Sequence, residues 1–169
     1  LDVDSLTLNT MNLNNVSVQV RAQDGLLRID PLTADLYQGS ITNTTRVDVR
    51  SETPKVQTRN NLNAIVIESL LDDLLDRKLL SGSGGIEANL EFQGLTNREI
   101  LRSLSGNLSL LFEKGAIRGV NIPALIRSTS ALLKGEQAVQ PEDQSTDFSS
   151  FTASADIQQG LIRRSTLEL

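Results

Sequence analysis

Ile86-Glu87-Ala88-Asn89-Leu90-Glu91-Phe92 sets an apolar side chain at every second position and a polar one between. Successive side chains of a strand point to opposite faces, so this stretch has one oily face and one wet face. The pattern recurs on both sides of it. Leu108, Leu110 and Phe112 repeat it, with Leu111 as an exception. Val16, Val18, Val20 and Ala22 alternate with Ser17, Gln19 and Arg21. Val47 and Val49 lie between Arg46, Asp48 and Arg50, and Phe151, Ala153, Ala155 and Ile157 close the series. A sheet covered on one face and wet on the other is the habit of antiparallel strands.

Turn signals fall between these runs. Asp24-Gly25 reads as a hairpin turn, because glycine accepts the positive φ that tight turns need. Lys114-Gly115 and Gln159-Gly160 occupy similar places, so Gly25, Gly115 and Gly160 are expected to be structural turns. Each opens a similar tetrad: Gly25-Leu26-Leu27-Arg28, Gly115-Ala116-Ile117-Arg118 and Gly160-Leu161-Ile162-Arg163. The unequal spacing fits a meander with inserted helices better than a strict solenoid.

Three segments change to helical period. Ile67, Leu70, Leu71, Leu74 and Leu75 form one apolar stripe, with Asp72, Asp73 and Asp76 opposite. Thr96-Asn97-Arg98-Glu99 matches a capping box and predicts a short helix with Ile100, Leu101 and Leu104 facing inward. A third helix is expected over 121–134, opened by Asn121 and Pro123 and stopped by Gly135. Residues 81–85, Ser-Gly-Ser-Gly-Gly, read as a loop, and 136–145 as a mobile polar loop. The expected fold class is α+β. It consists of a mostly antiparallel, hairpin-rich curved sheet with about three amphipathic helices packed on or near its apolar face, forming a single domain over 1–169.

Composition narrows the chemistry. The chain has no histidine and no cysteine, so neither a Ser-His-Asp nor a Cys-His arrangement can be built within it. Zinc sites lose their usual ligands. The net charge of −5 and the lack of a basic stripe argue against nucleic acid. Aromatics make up 3% of residues, which disfavours base-stacking platforms. Asp72, Asp73, Asp76 and Glu68 lack the loop spacing of a calcium site and read as a solvated helix face. The expectation is a protein with no catalytic residues, no metal and no cofactor.

Ser105-Gly106-Asn107-Leu108-Ser109-Leu110, followed by Glu113-Lys114-Gly115-Ala116-Ile117-Arg118-Gly119-Val120-Asn121-Ile122, resembles the signature of the AsmA family. Leu26-Leu27-Arg28-Ile29-Asp30-Pro31-Leu32-Thr33-Ala34-Asp35-Leu36-Tyr37-Gln38-Gly39-Ser40 and Thr146-Asp147-Phe148-Ser149-Ser150-Phe151 are also similar to it, in the family's order. Glycine is sparser than in relatives around 40–45. The resemblance implies a piece of a longer periplasmic protein, tethered to the inner membrane by an anchor outside this stretch and serving outer-membrane biogenesis. Larger relatives form elongated β-grooves that pass lipid between membranes.

Two expectations of function follow. In the first, Val16, Val18, Val20, Ile86, Ala88, Leu90, Phe92, Leu108, Leu110 and Phe112 face acyl chains of phospholipid or another envelope lipid, or else the helices of an ordinary core. In the second, the chain is a scaffold for envelope proteins, with a closed core and no lipid site.

Overall fold

The computed structural model describes residues 1–8, 10–76, 78–118 and 145–169. Among them the chain forms one nine-stranded sheet in sequential order, every neighbouring pair antiparallel. The strands are β1 (Asp2–Leu8), β2 (Met11–Gln23), β3 (Leu26–Leu36), β4 (Gly39–Asp48), β5 (Lys55–Val66), β6 (Ser83–Gln93), β7 (Ser105–Arg118), β8 (Ser145–Gln158) and β9 (Leu161–Glu168). Helix α1 (Ile67–Leu75) joins β5 to β6, and α2 (Asn97–Ser103) joins β6 to β7. The two helices therefore sit at opposite ends of the strands.

This overturns the expected α+β class. Sheet dominates, and the described residues contain two short helices in place of three amphipathic ones packed on the sheet. The expected third helix over 121–134 lies outside the described residues, as does the expected loop up to 144. Ser145 already belongs to β8.

The hairpin reading holds at two of its three glycines. Asp24-Gly25 and Gln159-Gly160 are two-residue turns with positive φ at both positions, the geometry that matches the twist of the flanking strands. Gly115 is not a turn. β7 runs straight through it to Arg118, and Gly115 pairs with Phe148 on β8. Its lack of a side chain has another cause: a Cβ there would run into the Ser81 carbonyl oxygen. The Ser-Gly-Ser-Gly-Gly loop is also partly strand, since β6 begins at Ser83. Gly84 lies opposite Phe112, where a Cβ would collide with the Leu111 carbonyl.

Helix α1 is where the core concentrates. Ile67 and Leu70 on its apolar stripe pack with Ile65, Phe112, Phe148 and Phe151. Phe112 and Ile65 are fully buried, each contributing roughly 1.5–3 kcal/mol of apolar transfer. The Phe148 and Phe151 rings meet at 5.5 Å in a tilted arrangement. No side chain caps the start of α1. Backbone carbonyls take its first amides instead, Tyr37 O from Val66 N–H at 2.8 Å and Gly82 O from Ile67 N–H at 3.1 Å. Asp76 ends the helix in the left-handed region, its N–H donating to Asp72 O.

The second helix behaves differently. Thr96 accepts from Glu99 N–H, and the Glu99 carboxylate accepts from the Thr96 and Leu95 amides, completing the capping box. Yet α2 buries no residue. Leu101 is 62% exposed, contrary to the inward stripe expected of it, while Ile100 and Leu104 are half-buried. A smaller cluster of Leu13, Val16, Ala34 and Leu36 holds β2 against β3.

Candidate functional site: the charge-free face of the sheet

The strand register sorts side chains into rows that cross the sheet. One row runs Ala34, Ile41, Leu62, Ile86, Leu110, Ala153 and Leu167, from β3 to β9. The next runs Val18, Leu32, Asn43, Asn60, Ala88, Leu108, Ala155 and Ser165. A third runs Val20, Ile29, Thr45, Thr58, Leu90, Gly106, Ile157 and Ile162. Beyond it Leu27, Val47, Val56 and Phe92 are paired in turn. None of these positions is ionisable.

The core beneath helix α1 takes up only the middle of the first row, where Leu62, Ile86, Leu110 and Ala153 pack against it and stay partly exposed. In the next two rows Ala88 is buried, whereas Ile29, Leu32, Leu90 and Leu108 are half-buried. At β7, β8 and β9 the face dips into an apolar depression of about 320 Å³, lined by Leu108, Leu110, Ala153, Ala155, Ser165 and Leu167.

Of the residues singled out from sequence, Ile86, Ala88, Leu90, Leu108 and Leu110 form a contiguous patch on neighbouring strands. Phe92 extends it, and Phe112 lies under α1 at its end. Val18 and Val20 share the face but stand strands away on β2. Val20 is 53% exposed, and Val16 is buried in the second cluster beside Val3. Between the two groups lie Leu32, Ile29, Leu62 and Val56, together with the polar Asn43, Thr45, Thr58 and Asn60. Sequence alternation did not pick out those on β4 and β5, because polar residues occupy inward positions there.

The opposite face carries the charges. Arg21 lies opposite Arg28, and Arg28 opposite Arg46, on three adjacent strands. The acids near α1 have separate duties. Asp73 accepts from the Tyr37 hydroxyl, Glu68 from Arg118 at 2.6 Å, and Asp72 pairs with Lys78 at 3.4 Å. Glu68, Asp72 and Asp73 are partly buried and engaged one by one, and Asp76 is exposed. Burial and the Asp73 carboxylate together push the Tyr37 phenol well above its ordinary pKa. Among the described residues, no Asp/Glu group is arranged to hold a metal ion, and no helix is long and apolar enough to cross a membrane.

The sequence pattern of the AsmA family matches residues 1–167, nearly the whole sheet. The chain belongs to the AsmA family. No curated protein and no solved structure matches it. For this AsmA-family chain the pairing of strands is therefore read from its own residues, and the charge-free rows are the feature on which a function can be built.

Proposed function

We propose that this chain is a non-catalytic periplasmic segment of an envelope protein that serves outer-membrane biogenesis by holding or passing phospholipid along its apolar sheet face. The observation that carries the reading is the set of charge-free rows crossing the sheet, only one of which packs under α1. Acyl chains laid on such a face gain roughly 0.8 kcal/mol per buried CH₂, so the step needs no reactive group. Family membership supports the envelope setting. A tether to the inner membrane would come from parts of the protein beyond this sheet.

Lipid extraction and native mass spectrometry of the purified chain test the proposal. The expected result is co-purifying phospholipid, or uptake from phosphatidylglycerol vesicles. A chain that carries none and takes up none is not a lipid carrier.

One observation favours a second reading, a scaffold that adds a partner's strand. The edge strand β9 is exposed throughout, with Ile162 at 66% and Leu167 at 63%. Apolar side chains this exposed offer another chain a surface to pair on. Crosslinks from β9 to an envelope protein, in a chain free of lipid, would favour that reading.

A further inference from the structure

Four polar side chains occupy a square in the middle of the apolar face. Asn43 pairs with Asn60, and Thr45 with Thr58, on the inward side of β4 and β5. Apolar residues frame the square on every side. Leu32 and Ile29 flank it on β3, and Ala88 and Leu90 on β6. Ile41 with Leu62 and Val47 with Val56 close the ends. Cross-strand hydrogen bonds among these four side chains help join β4 to β5, but apolar pairs would do the same on an apolar face. Valine suits a strand as well as threonine and better than asparagine, and it would leave the face unbroken.

The protons of the square can be assigned. Thr45 Oγ1 donates to Asn43 Oδ1 at 3.0 Å, which uses its single hydrogen. The 2.9 Å contact between Thr45 and Thr58 must therefore run from the Thr58 hydroxyl to Thr45 Oγ1. Asn43 Nδ2 donates to Asn60 Oδ1 at 2.7 Å and to Thr58 Oγ1 at 2.9 Å. Asn60 Nδ2 donates to Thr58 Oγ1 at 3.3 Å, which leaves it a second N–H. The square thus leaves one amide donor on Asn60 and lone pairs on both asparagine oxygens unused by its internal bonds. It carries no charge.

We propose that this square is a binding site for the ester linkage of a diacyl glycerolipid, with the two acyl chains lying on the apolar frame. This deepens the lipid reading and rests on it. Ester carbonyls are neutral acceptors that match the spare Asn60 N–H, and the linker of a diacyl glycerolipid offers acceptors only. A phosphate would need cations, as its oxygens pair best with Arg or Lys. None stands on these rows, so the square reads the linker and is indifferent to the headgroup, which lies beyond it toward water.

The test compares dioleoyl phosphatidylglycerol with its dialkyl ether analogue, which keeps headgroup and chain length and lacks the ester carbonyls. The expected preference of the unaltered chain for the ester lipid is about fivefold, the yield of one net hydrogen bond. The variant carrying Thr45→Val, Thr58→Val and Asn60→Leu should bind both lipids equally and retain affinity for the ether form. If it fails to fold, Asn60→Leu alone removes the spare N–H and should abolish the preference. Equal binding of both lipids by the unaltered chain, or a preference surviving in the folded variants, overturns the ester site and leaves the lipid reading standing. Binding of neither lipid by the unaltered chain overturns both.

Discussion

Tyr37 donates its hydroxyl to Asp73 Oδ2 at 2.8 Å, joining the β3–β4 turn to helix α1 across 36 positions of sequence. The bond is partly buried and its acceptor is charged, so Tyr37→Phe should cost about 1–2 kcal/mol. It also creates a pH dependence. The folded-state phenol pKa lies above the ordinary 10.0, so its contribution is complete below that pH and fades as pH rises beyond it. Urea midpoints at pH 8 and pH 10.5 should fall more between the two conditions in the unaltered chain than in Tyr37→Phe.

Gly84 and Gly85 make a paired test of backbone approach. A Cβ on Gly84 would strike the Leu111 carbonyl, while one on Gly85 has its nearest neighbour, Leu62 O, at 3.1 Å. Gly84→Ala should lose about 2–4 kcal/mol, and Gly85→Ala less than half as much. Denaturant titration of the two variants checks the order.

Arg28 stands between Arg21 and Arg46 with no acidic partner among the described residues. Like charges directly opposite each other in a sheet are destabilising. Arg28→Thr should therefore raise stability by about 0.5 kcal/mol, a melting shift of roughly 1–2 °C at low salt. The gain should shrink as salt screens the repulsion. A lower melting temperature at low salt would mean that the arginine makes a favourable contact that outweighs the repulsion.

The capping box on α2 gives a local prediction. Removing the Thr96 acceptor with Thr96→Ala should cost the helix about 1 kcal/mol and speed hydrogen exchange at the Glu99 amide. The Leu95 and Thr96 amides hold the Glu99 carboxyl below its usual pKa. Its contribution is thus present above the unfolded-state value of 4.5 and is lost as pH falls through the lowered folded-state one. Glu99→Gln should flatten that acid arm of the exchange profile.

How much of this fold could be read in advance depends on what each residue does. β6 and β7 were legible because Ile86, Ala88, Leu108 and Leu110 obey the two-residue period, with Leu111 the one departure. β5 was not, and β4 only near Val47. Asn43, Thr45, Thr58 and Asn60 hold inward positions there, and a hydropathy pattern treats inward polar residues as noise. The feature that concealed these strands is the one that marks the proposed ester site. The Tyr37-Gln38 turn was missed because both of its positive-φ residues carry side chains. Gly115 misled for the converse reason, since its glycine serves the approach of Ser81 within a strand. The Thr96 cap was read correctly because capping is local. Whether its helix would bury Leu101 was not a local question.

Photocrosslinking at neighbouring positions of β7 tests the central claim most directly. Leu108 lines the apolar depression, and Ser109 points to the other side of the same strand. A photoreactive amino acid at each, in chains incubated with phosphatidylglycerol vesicles, samples both faces at one depth. The account predicts lipid adducts at 108 and few or none at 109. Equal labelling at both positions, or none at 108, would contradict a lipid-bearing face.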